Sequence, residues 1–249
     1  MSVPTLIFLL VHSPLVGPTT WTPVAEEIRK SGFEVIVPRL DSPAPISGTY
    51  RDRHARIVAE AVAKVPRTSS IVLVGHSGAG PLLPAIREAM HRKVAGYIFF
   101  DAGLPLDRAS RLDQFDTEAE RREFRAAAVN GILPKWTDDD LKDSIKDDTL
   151  RRAFVAELPA LPLAVYEEPL PVFKGWPDAP CAYVRTSATY DRFLATAKTK
   201  GWYALSLDGG HFYMLNEPAE TARLLKTMAV FLMARAGAPP NPRAPSDRH

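Results

Sequence analysis

The sequence predicts an α/β protein built on a mostly parallel, doubly wound sheet with helices on both faces. Three observations predict it. Short β-branched or aromatic runs alternate along the chain with longer amphipathic stretches, and such alternation makes right-handed crossovers between parallel strands. Most of the short runs are apolar throughout, as expected of strands buried on both faces. The 249 residues, 46% hydrophobic and 24% charged, are enough for one full core, so a single domain carrying an insertion is expected.

The first element is the run Leu6-Ile-Phe-Leu-Leu-Val11. It has no basic segment before it and no small-residue cleavage site after it, and it is too short to cross a bilayer, so it reads as a buried strand. A helix near 21–30, a strand at 34–37 and a helix near 51–65 follow. Next come a strand at 70–74, a helix near 81–91 and a strand at 94–100. The rhythm then breaks. Residues 104–177 are charged and helical in pattern, over 116–129, 137–144 and 148–158, with a proline-rich run from Pro159 to Pro171. A long insertion at the binding edge of such a sheet is usually functional, so this segment is expected to form a helical cap over the strand ends. Alternation resumes with a strand at 182–186, a helix near 190–200, a strand at 203–207 and a helix near 218–234. The expected organisation is a core in two parts (1–103 and 178–236), the cap (104–177), and a proline-rich, polar tail at 237–249 with too few apolar groups to pack.

Charge is nearly balanced, with 31 basic and 29 acidic residues for a net +2. That balance is too even to imply nucleic acid or a membrane surface as partner, so a small-molecule substrate, with no nucleic acid and no membrane, is expected. The oligomeric state, monomer or homodimer, stays open. The single cysteine, Cys181, cannot form an intramolecular disulfide, and a reducing, cytoplasmic setting is expected. No metal-ligand cluster or dinucleotide fingerprint is present, so no cofactor is expected.

The chemistry concentrates at Gly75-His76-Ser77-Gly78-Ala79, which ends one strand and precedes a helix. A sharp strand–turn–helix junction exposes its central side chain above the sheet, and the N–H of the next residue, Gly78, can face an oxyanion. Ser77 is therefore the candidate nucleophile. A serine hydroxyl needs a base within hydrogen-bond reach. Of six histidines, His249 lies in the tail, His54 and His91 lie in helical stretches, His76 is inside the turn, and His12 follows the first strand. His211 sits in Leu207-Asp-Gly-Gly-His-Phe212, between the last strand and the last helix and at the same sheet edge as Ser77, and is the candidate base.

Together these segments resemble the α/β-hydrolase superfamily over about residues 5 to 235, on Val11-His-Ser-Pro with Trp21 downstream, on Gly75-His-Ser77-Gly-Ala, and on Gly210-His211 before Asn216-Glu-Pro-Ala. The likeness is strongest to small cofactor-free members such as plant methyl esterases and hydroxynitrile lyases. It implies an α/β-hydrolase fold, with the cap inserted after the strand that follows the nucleophile turn. It also implies a catalytic acid. Most members keep theirs soon after the strand at 182–186, where this chain has Ser187, Ala188 and Thr189, with Asp191 beyond. Asp101, ending the strand after the nucleophile, is similar to the acid of some dehalogenases and lactone hydrolases. Asp101 is favoured, Asp191 is the alternative, and Asp208 is a weaker third because it precedes His211 too closely.

In the resembling enzymes the loop after the first strand supplies an oxyanion N–H, commonly from the second residue after the histidine. Here that residue is Pro14, which has no N–H. Leu15 or Ser13 must donate instead, or the hole is incomplete; with His12 and Gly78 these residues form the expected oxyanion and substrate-binding group. The leading expectation is a serine hydrolase of an ester, thioester or lactone of a small, apolar substrate. Pro14 leaves open a lyase, cyclase or isomerase using Ser77 and His211 as an acid–base pair. A ligand-binding protein with a vestigial triad is the third possibility. The cap aromatics Phe115, Phe124, Trp136, Phe154, Tyr166, Phe173 and Trp176 point to an apolar or aromatic substrate group.

Overall fold

The computed structural model describes residues 5–40 and 48–236; the expected tail at 237–249 lies outside them. Six strands form one parallel sheet: β1 (Leu6–Val11), β2 (Glu34–Ile36), β3 (Ser70–Ser77), β4 (Gly96–Ala102), β5 (Cys181–Arg185) and β6 (Tyr203–Ser206), in the order β2-β1-β3-β4-β5-β6. The chain winds outward from the β1/β3 pair in both directions, which is the doubly wound arrangement expected.

Alternate residues of the central strands feed two separate cores. Phe8, Leu10, Val72, Val74, Ile98 and Phe100 pack with helices α1 (Thr22–Lys30) and α10 (Pro218–Ala236). Ile7, Leu9, Ile71, Leu73, Tyr97 and Phe99 pack on the other face with α2 (Tyr50–Ala61), α3 (Leu83–Ala89) and α8 (Asp191–Thr199). Strands covered on both faces need apolar residues at every position, and all seven residues of β4 are buried.

Two strands run further than their apolar runs. β3 continues past Val74 through Gly75 and His76 to Ser77, and β4 continues to Ala102. At their ends the pairing slips: His76 faces Phe100, but Ser77 faces Ala102. Asp101 is therefore an extra residue, a β-bulge with φ of +43°. The helix expected at 81–91 begins later, as α3 at Leu83 after a 3₁₀ turn at Gly80–Leu82. Two prolines, Pro81 and Pro84, constrain that start.

The segment 104–177 carries four short helices, α4 (Glu118–Ala126), α5 (Asp138–Leu141), α6 (Asp148–Ala156) and α7 (Ala164–Glu167). Reciprocal caps start two of them, Thr117 with Glu120 and Thr137 with Asp140. Helix α7, inside the proline-rich run, is not expected from the pattern. Tyr166 on it joins Leu133, Leu161 and Val165 in a small third core. The last short helix, α9 (Tyr213–Asn216), follows the His211 loop. No helix of the described residues is long and apolar enough to cross a membrane.

Candidate active site

Ser77 ends β3 with φ of +54°, the left-handed region that is strained for any residue but glycine. The turn beyond it needs small residues for a specific reason. A Cβ on Gly80 would run into the Gly103 carbonyl, where β4 leaves the sheet, whereas the Cβ of Ala79 fits into the core. The glycine that the pentapeptide lacks at Ala79 is thus supplied one residue later, where the backbones approach.

His211 is positioned by the glycine pair before it. Gly210 has φ of +82°, and its N–H donates to the Thr186 carbonyl at 3.0 Å, tying the loop to the end of β5. The His211 Nδ1–H then donates to Asp101 Oδ2 at 2.7 Å, leaving Nε2 with its lone pair. The carboxylate of Asp101 is wholly buried. Its Oδ1 accepts the N–H groups of Thr186 and Ser187 at 2.7 and 2.9 Å, and its Oδ2 also accepts the Ser187 hydroxyl at 2.6 Å. Four donors offset the cost of burying the charge. The loop after β5 thus holds a carboxylate that comes from β4.

The other acidic candidates lie elsewhere. Asp191 starts α8 and pairs with Arg185 at 2.6 Å, and Asp208 is exposed and pairs with the same guanidinium at 2.8 Å. Asp191 is thus not brought to the imidazole: α8 begins beyond the turn that reaches it, and its first carboxylate faces Arg185.

His12 is engaged by backbone groups. Its Nδ1–H donates to the Ser13 carbonyl at 2.8 Å and its Nε2 accepts the Leu40 N–H at 3.2 Å, so the ring ties β1 to the chain after β2 and has no nitrogen left for substrate. Burial pushes its pKa down to about 4. His76 is likewise structural: its Nε2–H donates to the His211 carbonyl at 3.1 Å, its ring lies 4.5 Å from that of His211, and burial holds its pKa well below the ordinary histidine value.

Ser77, Gly78, His211 and Leu15 line a cavity of about 390 Å³. Its wall from the 104–177 segment includes Phe115, Phe124, Trp136 and Tyr166, and α8 adds Phe193. An adjoining cavity of about 200 Å³ shares Leu15, Phe124 and Trp136. The other expected aromatics pack elsewhere: Phe154 lies 5.1 Å from Phe212 in the core, and Trp176 lies 4.4 Å from Tyr97 and 5.5 Å from Phe173. Ser13 Oγ and the Tyr166 hydroxyl flank Gly78, 3.0 and 3.1 Å from where a Cβ would stand. Pro14 is buried in the loop after β1, and the Leu15 N–H points toward Ser13 Oγ at 3.4 Å.

Two residues at the site were not singled out in the sequence. The Tyr190 hydroxyl lies 3.2 Å from Ser77 Oγ, and its ring is parallel to that of His211 at 5.2 Å. Arg111, almost fully buried, donates from Nε to the Gly78 carbonyl and from Nη1 to the Val165 carbonyl, each at 2.8 Å, with Glu168 at 3.8 Å. Tyr190 stands just past the usual acid position, which was the available signal for it. Arg111 has no local signal. Among the described residues no group of three or more His, Cys, Asp or Glu is placed to hold a metal ion.

A parallel sheet carrying a serine at a strained strand end, with a histidine–carboxylate pair beside it, defines the α/β-hydrolase class. Residues 8–224 match the sequence model of the alpha/beta hydrolase family, and the chain belongs to that family. Among curated proteins it is similar to the carbendazim hydrolyzing esterase of Nocardioides sp. (strain SG-4G), 23% identical over 89% of this chain and 98% of the relative. Its fold is shared by an extracellular alpha/beta-hydrolase of a Paenibacillus species described as a structural and functional homologue of tobacco salicylic acid binding protein 2 (21% identity, TM-score 0.67, 94% of this chain and 100% of that one). Tomato methylketone synthase I, in complex with 2-tridecanone, superposes with a TM-score of 0.69 at 17% identity over 93% of this chain and 100% of that one. A pyrethroid hydrolase from Sphingobium faniae JZ-2 does so at 0.69 and 16%, over 91% and 98%.

Proposed function

We propose that this protein is a serine hydrolase of an ester, thioester or lactone with an apolar or aromatic group. The observation that carries this reading is the 2.7 Å bond from His211 Nδ1 to the buried Asp101, with His211 and Ser77 lining one cavity. Ser77 Oγ attacks the substrate carbonyl and its proton passes to His211 Nε2. Asp101 holds the tautomer that makes Nε2 the acceptor and stabilises the imidazolium. The Gly78 N–H faces the oxyanion. His211 then protonates the leaving group, and water, activated by the same nitrogen, hydrolyses the acyl-enzyme. The aromatic wall from the 104–177 segment acts as the cap over the site, and the adjoining second cavity gives room for a substrate with two apolar arms. The esterase and the pyrethroid hydrolase among the similar proteins support this class.

The test is fluorophosphonate labelling of the wild type beside Ser77→Ala and His211→Ala, read by intact mass. A single adduct on the wild type, absent in both variants, supports the reading; a folded wild type that takes no adduct overturns it. Pro14 favours a second reading, a lyase or related enzyme using Ser77 and His211 as acid and base, because the loop after β1 lacks the customary N–H. Product formed in ¹⁸O-water without label would establish that second reading.

A further inference from the structure

The acyl-enzyme reading assigns proton delivery to His211 and leaves the group nearest to the nucleophile without a role. We propose that the Tyr190 hydroxyl is a catalytic group that hydrogen-bonds the leaving oxygen as the substrate's scissile C–O bond breaks, so that the enzyme is built for esters with poorly departing, alkoxide-type leaving groups.

The argument is geometric. Tyr190 Oη lies 3.2 Å from Ser77 Oγ, and no other side-chain hydrogen bond to Ser77 is present among the described residues. The phenol ring lies parallel to the His211 imidazole, at an interplanar angle of 5° and 5.2 Å between centres, so the hydroxyl approaches Ser77 from the side on which His211 stands. That is the side on which the departing group receives its proton. The Nδ1–H of His211 is engaged by Asp101 at 2.7 Å, so Nε2 is the nitrogen left to take the proton of Ser77 on attack; once that proton has gone, the Tyr190 O–H is the group placed to donate to Ser77 Oγ across the 3.2 Å contact. Burial raises the phenol's pKa above its ordinary value, so the group stays protonated and acts as a donor.

Attack turns Ser77 Oγ into an ether-type oxygen of the tetrahedral adduct, a poorer acceptor than the alkoxide, and frees the phenol for the atom on which negative charge next accumulates. When the tetrahedral adduct collapses, the bond between the former carbonyl carbon and the leaving oxygen breaks and its electron pair goes to that oxygen. His211 Nε2–H returns the proton taken from Ser77 to it, while Tyr190 donates a hydrogen bond and keeps its own proton.

The inference rests on the acyl-enzyme reading, and the experiment separates the two. Tyr190→Phe keeps the ring on His211 and removes only the hydroxyl, so its thermal midpoint is expected to stay near that of the wild type. kcat/KM, which reports acylation, is measured on butyrate esters of graded leaving groups, from p-nitrophenyl and phenyl through trifluoroethyl to ethyl. The expected loss in Tyr190→Phe is about 10²-fold on ethyl butyrate and under about tenfold on the p-nitrophenyl ester, whose leaving group carries its charge unaided. An equal loss on all four esters, or none, overturns the proposal while fluorophosphonate labelling of Ser77 leaves the underlying reading standing. Absence of that labelling in the wild type overturns both.

Discussion

At Asp101 the carboxylate has all four of its acceptor positions filled, three by Thr186 and Ser187 and one by the imidazole. This makes it intolerant of an isosteric change. In Asp101→Asn an amide N–H₂ must meet either the two backbone N–H groups or the His211 Nδ1–H, so the imidazole loses its orientation or changes tautomer. Activity on a p-nitrophenyl ester is expected to fall by about 10³–10⁴-fold, the scale of losing the triad acid, with fluorophosphonate labelling slowed in parallel. Asp191→Asn is the contrast. That carboxylate is exposed and pairs with Arg185, and exposed pairs are worth about 0–1 kcal/mol. Its activity is expected to stay within a few-fold of wild type; a loss as large as that of Asp101→Asn would show that the acid had been assigned to the wrong aspartate.

Among the elements, the 104–177 segment is joined to the sheet by polar links at defined points. Arg111 reaches from it to the Gly78 carbonyl at the nucleophile turn, and Asn216, at the end of α9, accepts the Lys146 N–H and donates to the Ser144 carbonyl at 2.9 and 2.8 Å. Asp116 and Arg192 pair at 2.8 Å between this segment and α8, both on the cavity wall. Arg111 is the most consequential link, because a buried guanidinium that loses its partners, or leaves Glu168 behind, exposes an uncompensated charge. Arg111→Met is expected to lower stability by about 3 kcal/mol and to reduce kcat more than KM, since it releases the carbonyl of Gly78, the residue whose N–H is the proposed oxyanion donor. Arg111→Met with Glu168→Gln is expected to recover much of the stability in denaturant titration but not the lost kcat. Recovery of both would reduce Arg111 to a charge partner of Glu168.

At the scale of the whole molecule, three histidines are buried in the fold, and burial holds the pKa of His12 at about 4, of His54 at about 3, and of His76 well below 6.5. Because the folded values lie below the unfolded one, the unfolded chain binds protons that the folded chain refuses as pH falls below 6.5. The stability these groups contribute is complete above that value and is lost down to about pH 4 for His12 and about pH 3 for His54. Each can contribute a slope of up to about 1.4 kcal/mol per pH unit. Urea unfolding followed from pH 7.5 to 5 is therefore expected to show steadily declining stability. A flat profile would mean that the folded chain takes up these protons as readily as the unfolded one.

The strands along the chain, the two-faced core, and Ser77 and His211 as candidates were legible in the sequence because each rests on a local signal: an apolar run, a glycine-softened turn, or a change of pattern between neighbouring segments. Asp101 was legible as the favoured acid only beside Asp191, since spacing along the chain cannot say which carboxylate reaches behind an imidazole that is 110 residues from one of them. A single extra residue in β4, the bulge against β3, aims Asp101 at the end of β5, and bulges leave no residue signature of their own. His12 shows the converse: beside the nucleophile turn in the chain's pattern, yet taken up entirely by backbone groups once Leu40 is brought to it. By itself the sequence determined the fold class and singled out Ser77 and His211 as the candidate nucleophile and base, since short-range periodicity and turn chemistry encode them. Only the tertiary structure decided which carboxylate lies against the His211 imidazole, which aromatics face the cavity, and that Tyr190 meets Ser77. Those depend on contacts between segments far apart in the chain, whose geometry is set by the packed sheet.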